Sequence, residues 1–347
     1  MTNGSPDRRR PTLSAVAAVA GTSVPTVSKV LRGGTDVSPE MRLKVMDAVR
    51  TVGYTRRGRS AGERLRDEAD APTTIELVLH HAESTWMNRV VAGVEYEAAA
   101  AGLDVIVTLA RENHDWGSRV LRRRSAGAVV VLVDPSTSQF KALSAAGIPV
   151  VLIDPMSGSP EGAVSVGAAN WDGGRIAAEH LLSLGHTRMG IVAGGRRYLY
   201  STARVDGFRA AAEAAAPGEA AISVAHGNWD PGQAEAATHS LLDRDPAITA
   251  VFACSDAMAL GVYDALAACG LRVPADVSVV GFDDLPEAQW ARPSLTTVRQ
   301  PTAELGAMAV RRLLEIARAD GNAPRSRSHL ELSTDLVIRA STSQAAK

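Results

Sequence analysis

From residue 74 onward the chain repeats one pattern: a short, mostly apolar run, then a stretch with helical spacing or a turn. Nine such runs stand out, at 75–79, 105–109, 128–133 and 150–153, then at 164–166, 189–192, 222–225, 250–254 and 277–282. Strands that are apolar on both faces belong in a parallel sheet covered by helices, because a sheet with one wet face would alternate. A break near Gly158 and Gly162 divides the series into two doubly wound halves. The segment 295–317 follows the second series, ends in a long amphipathic helix and fits a return to the first half. The expected division is a first subdomain of about 74–168 plus 299–327, a second of about 169–298 plus 328–340, and a tail at 341–347. The 347 residues, 46% hydrophobic, suffice for this core without a disulfide or metal staple.

Ahead of the core, residues 1–66 carry 13 Lys/Arg against 5 Asp/Glu, a net +8 in a chain whose total is −1. A basic head on an acidic body implies a polyanionic partner for the head alone. The head, 1–55, reads as three short helices. Thr12 caps the first, Leu13, Val16, Ala17 and Ala20 form its apolar face, and Gly21 stops it. Ser23 caps the second, with Pro25 in its first turn and Val27, Val30 and Leu31 facing inward. Ser38, Pro39 and Glu40 start the third, Met41, Val45, Ala48, Val49 and Val52 give its buried stripe, and Gly53 ends it. Two helices joined by a three-residue turn containing Gly make a helix-turn-helix, which offers the start of its second helix to the major groove. Those positions are Val24, Pro25, Thr26, Ser28 and Lys29. Lys29 can donate to guanine O6 and N7, while Val24 and Pro25 can touch a thymine methyl.

Residues 12–54, TLSAVAAVAGTSVPTVSKVLRGGTDVSPEMRLKVMDAVRTVGY, resemble the DNA-binding head of LacI/GalR-type (lactose-repressor family) regulators. The shared core is AG-x-S-x-x-TVS-[RK]-VL, and Ala15 stands where the family usually carries an acid. The resemblance implies that Thr12, Ser23, Ser28 and Tyr54 touch the DNA backbone and that Val24, Pro25 and Lys29 lie at the bases. Leu13 and Thr26 complete the expected DNA-facing set. It also implies that the linker, 56–73, becomes a hinge helix on operator DNA, with a leucine wedged into the minor groove. Leu65, the one large apolar residue in that stretch, is the candidate. The rest of the chain resembles the periplasmic-binding-protein-like core of the same family. The matching motifs are Gly185-His186, Ser201-Thr-Ala-Arg204-Val-Asp-Gly207-Phe208, Ser255-Asp-Ala-Met-Ala-Leu-Gly261 and Val280-Gly-Phe-Asp283-Asp284. The expected fold class is α/β: a three-helix helix-turn-helix head plus a core of two doubly wound parallel-sheet subdomains.

In open α/β sheets ligands bind beyond the carboxyl ends of the strands. Aromatic residues make up only 4% of the chain, yet Trp86, Trp116, Trp171, Trp229 and Trp290 all follow such ends. A flat indole suits the C–H face of a sugar or another planar ligand, and two or three of the five are expected to line the cleft. The resemblance implies ligand contacts from Asp154, Arg204 and Asp283, with Trp229 as an aromatic wall. His80 and His81 stand where the family usually has Pro-Asp, Trp86 where a phenylalanine is common, and Ser255 where several relatives place an asparagine. Asn170 and Trp171 occupy a loop expected to face the cleft. The expected ligand set is His81, Trp86, Asp154, Trp171, Arg204, Trp229, Ser255 and Asp283.

No G-x-S-x-G, H-E-x-x-H, P-loop or dinucleotide fingerprint is present, so neither an enzyme nor a cofactor is expected. Cys254 and Cys269 fit no metal spacing and suit a reducing compartment. The start, MTNGSPDRRRP, lacks a secretory apolar region, and no run approaches a membrane span of roughly 18 residues. The expectation is a cytoplasmic, nucleoid-associated repressor with no membrane partner. It would bind a pseudo-palindromic operator in double-stranded DNA as a homodimer and be released by a sugar or oligosaccharide inducer. A regulator that needs a purine-like or phosphoprotein co-repressor is the alternative. A non-regulatory sugar-binding protein and an α/β hydrolase follow behind.

Overall fold

Three helices build the head: α1 (Leu13–Ala20), α2 (Val24–Leu31) and α3 (Pro39–Val52). Their starts follow the sequence. The Ala15 amide donates to Thr12 Oγ1 at 3.2 Å, that of Thr26 to Ser23 Oγ at 3.3 Å, and that of Met41 to Ser38 Oγ at 3.3 Å. Gly21, at φ 63°, caps α1 in the left-handed conformation that favours glycine. It turns the chain by 102° between α1 and α2, within the range of a helix-turn-helix. Val16, Ala17, Ala20, Val27, Val30, Val45 and Ala48 form the head's own small core, with Leu13, Leu31 and Tyr54 packed against it.

The computed structural model describes residues 12–31, 37–52, 54, 72–111, 115–123, 125–215, 217–318 and 328–345. The chain divides into two units, 1–71 and 72–347. Leu65 and most of the expected linker lie outside the described residues. Among the described residues no single helix is long and apolar enough to cross a membrane.

The second unit holds two sheets. Its first half runs β1 (Thr74–Leu79), α4 (Thr85–Ala100), β2 (Asp104–Leu109), α5 (Trp116–Arg123), β3 (Ala128–Val131), α6 (Thr137–Ala145), β4 (Val150–Ile153) and β5 (Val164–Ala168). The second half runs α7 (Asn170–Ser183), β6 (Arg188–Ala193), α8 (Leu199–Ala215), β7 (Ala221–His226), α9 (Pro231–Arg244), β8 (Ala250–Ala253), α10 (Asp256–Ala268), β9 (Ser278–Asp283), α11 (Pro286–Trp290) and β10 (Thr296–Arg299). The chain ends with α12 (Thr302–Arg318), β11 (Ser328–Leu332) and β12 (Asp335–Val337).

The first sheet has the order β2-β1-β3-β4-β5-β11 and is parallel throughout. The second has the order β7-β6-β8-β9-β10-β12, with β12 antiparallel to β10. As the sequence pattern suggested, α12 returns to the first half, where Leu305, Ala309, Val310 and Leu313 join its core.

Three expectations need correction. The 164–166 run, counted with the second series by its place after the glycine break although the expected bounds of 74–168 put it in the first subdomain, pairs with β4 in the first sheet, so the bounds hold and the grouping does not. The segment 328–332, expected in the second subdomain, pairs with β5 of the first sheet, and only β12 belongs to the second. Alternating exposure along β11 hid it from a search for apolar runs; without it β5 would be an open edge. Residues 341–345 also lie against the second half, with the buried Ser341 hydroxyl donating to Val279 O at 2.6 Å and the Ala345 amide to Leu184 O at 2.9 Å.

Candidate functional site

Both sheets reverse strand order between their first and third strands, and such reversals open crevices at the carboxyl ends. The strand ends of the two halves together line a cavity of about 310 Å³. The first half contributes His80, His81, Ser84 and Trp86 after β1, Leu132 after β3, and Asp154 and Met156 after β4. From the second half come Tyr198, Tyr200 and Arg204 after β6, Asn228 and Trp229 after β7, Ser255 after β8 and Asp283 at the end of β9. Leu132, Asp154, Asn228, Trp229 and Asp283 all have positive φ, between 42° and 123°. A non-glycine residue held there costs energy, and clusters of such residues mark ligand sites.

Arg204 organises the polar side. Its Nε donates to Asn170 Oδ1 at 2.8 Å and its Nη1 to Cys254 O at 2.5 Å. Its guanidinium lies 3.8 Å from Asp283 and 3.8 Å from the Phe282 ring centre. Asn170 passes the link to Asp154 across the two halves, with Nδ2 to Oδ1 at 3.5 Å. Burial pushes the Asp154 carboxyl up to about 7, against the pull of Arg204 and Asn170. It pushes Asp283 up to about 6, against Arg204 and the amide of Gln300. Asp256, fully buried behind them, is raised by burial and then by its neighbour Asp283. Its carboxylate accepts from Thr297 Oγ1 at 2.5 Å and Leu285 N at 2.8 Å, which pins the loop after β9.

Tyr198, Tyr200 and Trp229 form the aromatic side, with ring centres 5.3–5.9 Å apart. Glycine makes room for them. A Cβ at Gly194 would overlap the Trp229 ring, and one at Gly195 would press on Tyr198. Sequence reasoning missed both tyrosines, Gln300, Asn228 and Ser84. The Gly194-Gly195 pair directly after an apolar run, with two tyrosines close behind, was the available signal.

Of the expected ligand set, His81, Trp86, Asp154, Arg204, Trp229, Ser255 and Asp283 line the cavity. Trp171 does not; it sits in the first turn of α7, 44% exposed. Trp116 is buried in the first half's core and Trp290 is 70% exposed, so two of the five tryptophans reach the cavity. Ser255 also caps α10, accepting from Met258 N at 3.2 Å. Burial lowers His81 below the usual imidazole value, with His80 adding to the effect.

Beside the cavity the halves also meet directly. Arg89 of α4 donates to the carbonyl of Asp284 at 3.0 Å, and Thr85 donates to the Glu287 carboxylate. Burial alone would raise Asp284, but hydrogen bonds from Arg339 and Arg299 hold it below the usual carboxylate range.

In the head, Thr12, Ser23, Val24, Pro25 and Lys29 are exposed at the start of α1 and along α2, with Thr26 and Ser28 half-buried. Leu13 is half-buried against the head's core, as is Tyr54, whose amide donates to Val49 O at 3.1 Å.

A model of bacterial regulatory proteins of the lacI family matches residues 12–57, and a periplasmic binding protein-like domain matches 178–342. The HTH-type transcriptional regulator CelR of Thermobifida fusca is 34% identical over 346 residues, covering 96% of this chain and 99% of that protein. The chain belongs to the LacI family of bacterial transcriptional regulators. This LacI-family regulator is similar to a solved CelR–cellobiose complex, at TM-score 0.70 and 31% identity, over 96% of this chain and 100% of that one. It is also similar to a lac repressor dimer bound to operator and the anti-inducer ONPF, at TM-score 0.69 and 26% identity, with the same coverage. Membership makes the chain a helix-turn-helix transcription regulator of a non-enzymatic family.

Proposed function

We propose that this LacI-family regulator is a repressor that binds a pseudo-palindromic operator as a homodimer and is released by a sugar or oligosaccharide. One observation carries the choice of ligand: an aromatic wall of Tyr198, Tyr200 and Trp229 shares one cavity with the carboxylates of Asp154 and Asp283. Rings stack on the C–H faces of a pyranose while carboxylates accept from its hydroxyls. The cellobiose complex of CelR supports the same class.

The ligand contacts both halves and so biases how they close on each other. That changes the spacing of the two heads in the dimer, with a coupling of about 1–3 kcal/mol. Protein two-fold symmetry then matches operator symmetry. The regulator works where chromosomal DNA lies, in the cytoplasm at the nucleoid. Lys29, Val24 and Pro25 read bases, and Thr12, Ser23, Thr26, Ser28 and Tyr54 hold the backbone. Leu13 supports α1 at the same surface, and Leu65 is the minor-groove wedge.

The test is tryptophan fluorescence titration of the full-length protein with mono- and oligosaccharides and with purines, followed by mobility shifts on operators selected from random duplexes. A saturable change with one saccharide, and release of DNA by that saccharide, is expected. A response to purines alone, with tighter DNA binding, would replace inducer by co-repressor. Lys29→Ala combined with Val24→Ala should abolish operator binding and leave the saccharide titration unchanged. A parallel loss of both would refute the separation of head and core.

A further inference from the structure

We infer that the cavity takes an uncharged saccharide rich in hydrogen-bond donors, and discriminates against sugar acids and sugar phosphates. The inference rests on the carbohydrate assignment and narrows it. Asp154 and Asp283 are both lining carboxylates, and Arg204 is the lining guanidinium that faces them. Its charge is already shared: it is paired with Asp283 at 3.8 Å, donates to Asn170 and to Cys254 O, and lies on the Phe282 ring. Asp154 is bridged to it through Asn170 and feels its charge, but makes no ion pair of its own among the described residues. An anionic ligand would therefore bring a further negative charge into a buried space where the carboxylates already outnumber the guanidinium. Like charges without water between them are penalised strongly.

The neutral polar atoms lean the same way. The Gln300 side chain donates Nε2 to Asp283 Oδ1 at 2.5 Å, which fixes the orientation of its amide. Its Oε1 is then an acceptor, buried and without a partner among the described residues. The two buried lining atoms without a partner among the described residues are thus one acceptor, Gln300 Oε1, and one donor, Trp229 Nε1. Hydroxyls can donate to the first and accept from the second, whereas a carboxylate or phosphate can only accept.

The experiment compares matched pairs on the full-length protein at pH 8: cellobiose with cellobionic acid, and glucose with glucose 6-phosphate. Fluorescence titration and calorimetry both read affinity. The neutral member of a pair should bind at least about tenfold tighter than its anionic partner. Asp154→Asn should narrow that gap, because it removes the carboxylate that makes no ion pair of its own among the described residues. An anionic member that binds as tightly as its neutral partner overturns the inference and leaves the carbohydrate assignment standing. A gap unchanged in Asp154→Asn, with neutral binding retained, overturns its electrostatic basis. Failure of every saccharide, charged or not, refutes the carbohydrate assignment and the inference with it.

Discussion

The two halves of the core each bury a carboxylate with an arginine, and they finish the job differently. In the first half, Glu76 on β1 is fully buried, and its own surroundings satisfy it. Arg123 donates at 2.9 Å, Ser125 at 3.0 Å and Thr108 at 3.2 Å. Glu76 does not line the cavity. In the second half, Arg204 and Asp283 sit 3.8 Å apart at the cavity wall, beside Gln300 and Trp229 atoms that lack partners among the described residues. A charge closed by internal donors holds a fold together; one left part-satisfied at a strand end is stocked for a ligand.

Removing each arginine sharpens that contrast most. Arg204→Ala leaves the buried Asp283 without its cation and should cost about 3–5 kcal/mol, with the effector response abolished. Arg123→Ala should cost somewhat less, because Arg123 is one-third exposed and Ser125 and Thr108 still donate to Glu76. It should leave effector affinity intact. Thermal melts with saccharide titrations decide, and loss of effector binding in Arg123→Ala would erase the distinction.

Helix packing gives the next effect. A Cβ at Gly174 would overlap the backbone carbonyl of Arg204, where α7 meets α8; one at Gly93 would overlap that of Ala303, where α4 meets α12. Each Ala substitution should destabilise by about 1–3 kcal/mol. Only Gly174→Ala moves the helix that carries Arg204, so only it should also weaken the effector. Equal effector losses in both would show that the first half positions ligand as strictly as the second.

A pH dependence follows from Asp154. Its carboxyl is raised from 3.8 to about 7 in the folded protein, so ionising it costs stability. Its protonated form stabilises the fold fully below pH about 4, and that contribution is lost as pH rises through 7. Asp154→Asn should therefore melt above the parent at pH 8 and converge with it toward pH 4. Effector affinity of the parent should fall from pH 8 to 5.5, as Asp154 and then Asp283, at about 6, lose their charge and accept more weakly from hydroxyls. Melts and titrations across that range check both signs. The smallest effect is expected from Arg89→Ala, which loosens the contact between halves and should weaken the effector roughly two- to tenfold without shifting the melt.

The head was legible nearly residue by residue. Its caps at Thr12, Ser23 and Ser38 and its stop at Gly21 are local devices, each acting within four residues. The cavity was legible in part. Asp154, Trp229 and Asp283 sit at or just past strand ends that the apolar runs mark, and the family resemblance supplied Arg204, which lies inside α8. Trp171 failed because following a strand end does not fix which way a side chain faces on the helix. Tyr198 and Tyr200 were missed because their value lies in packing against Trp229, some thirty positions away.

By itself the sequence determined the helix-turn-helix head and the two doubly wound halves, because capping, periodicity and apolar runs act over short distances along the chain, and the resemblance of its motifs gave the family. Only the tertiary structure decided that β11 closes the first sheet, that two tyrosines complete the aromatic wall, and that Arg204 is shared between Asn170, Cys254 and Asp283. Edge pairing, ring packing and the desolvation of charge depend on distances in space between residues far apart in the chain. No local pattern encodes them.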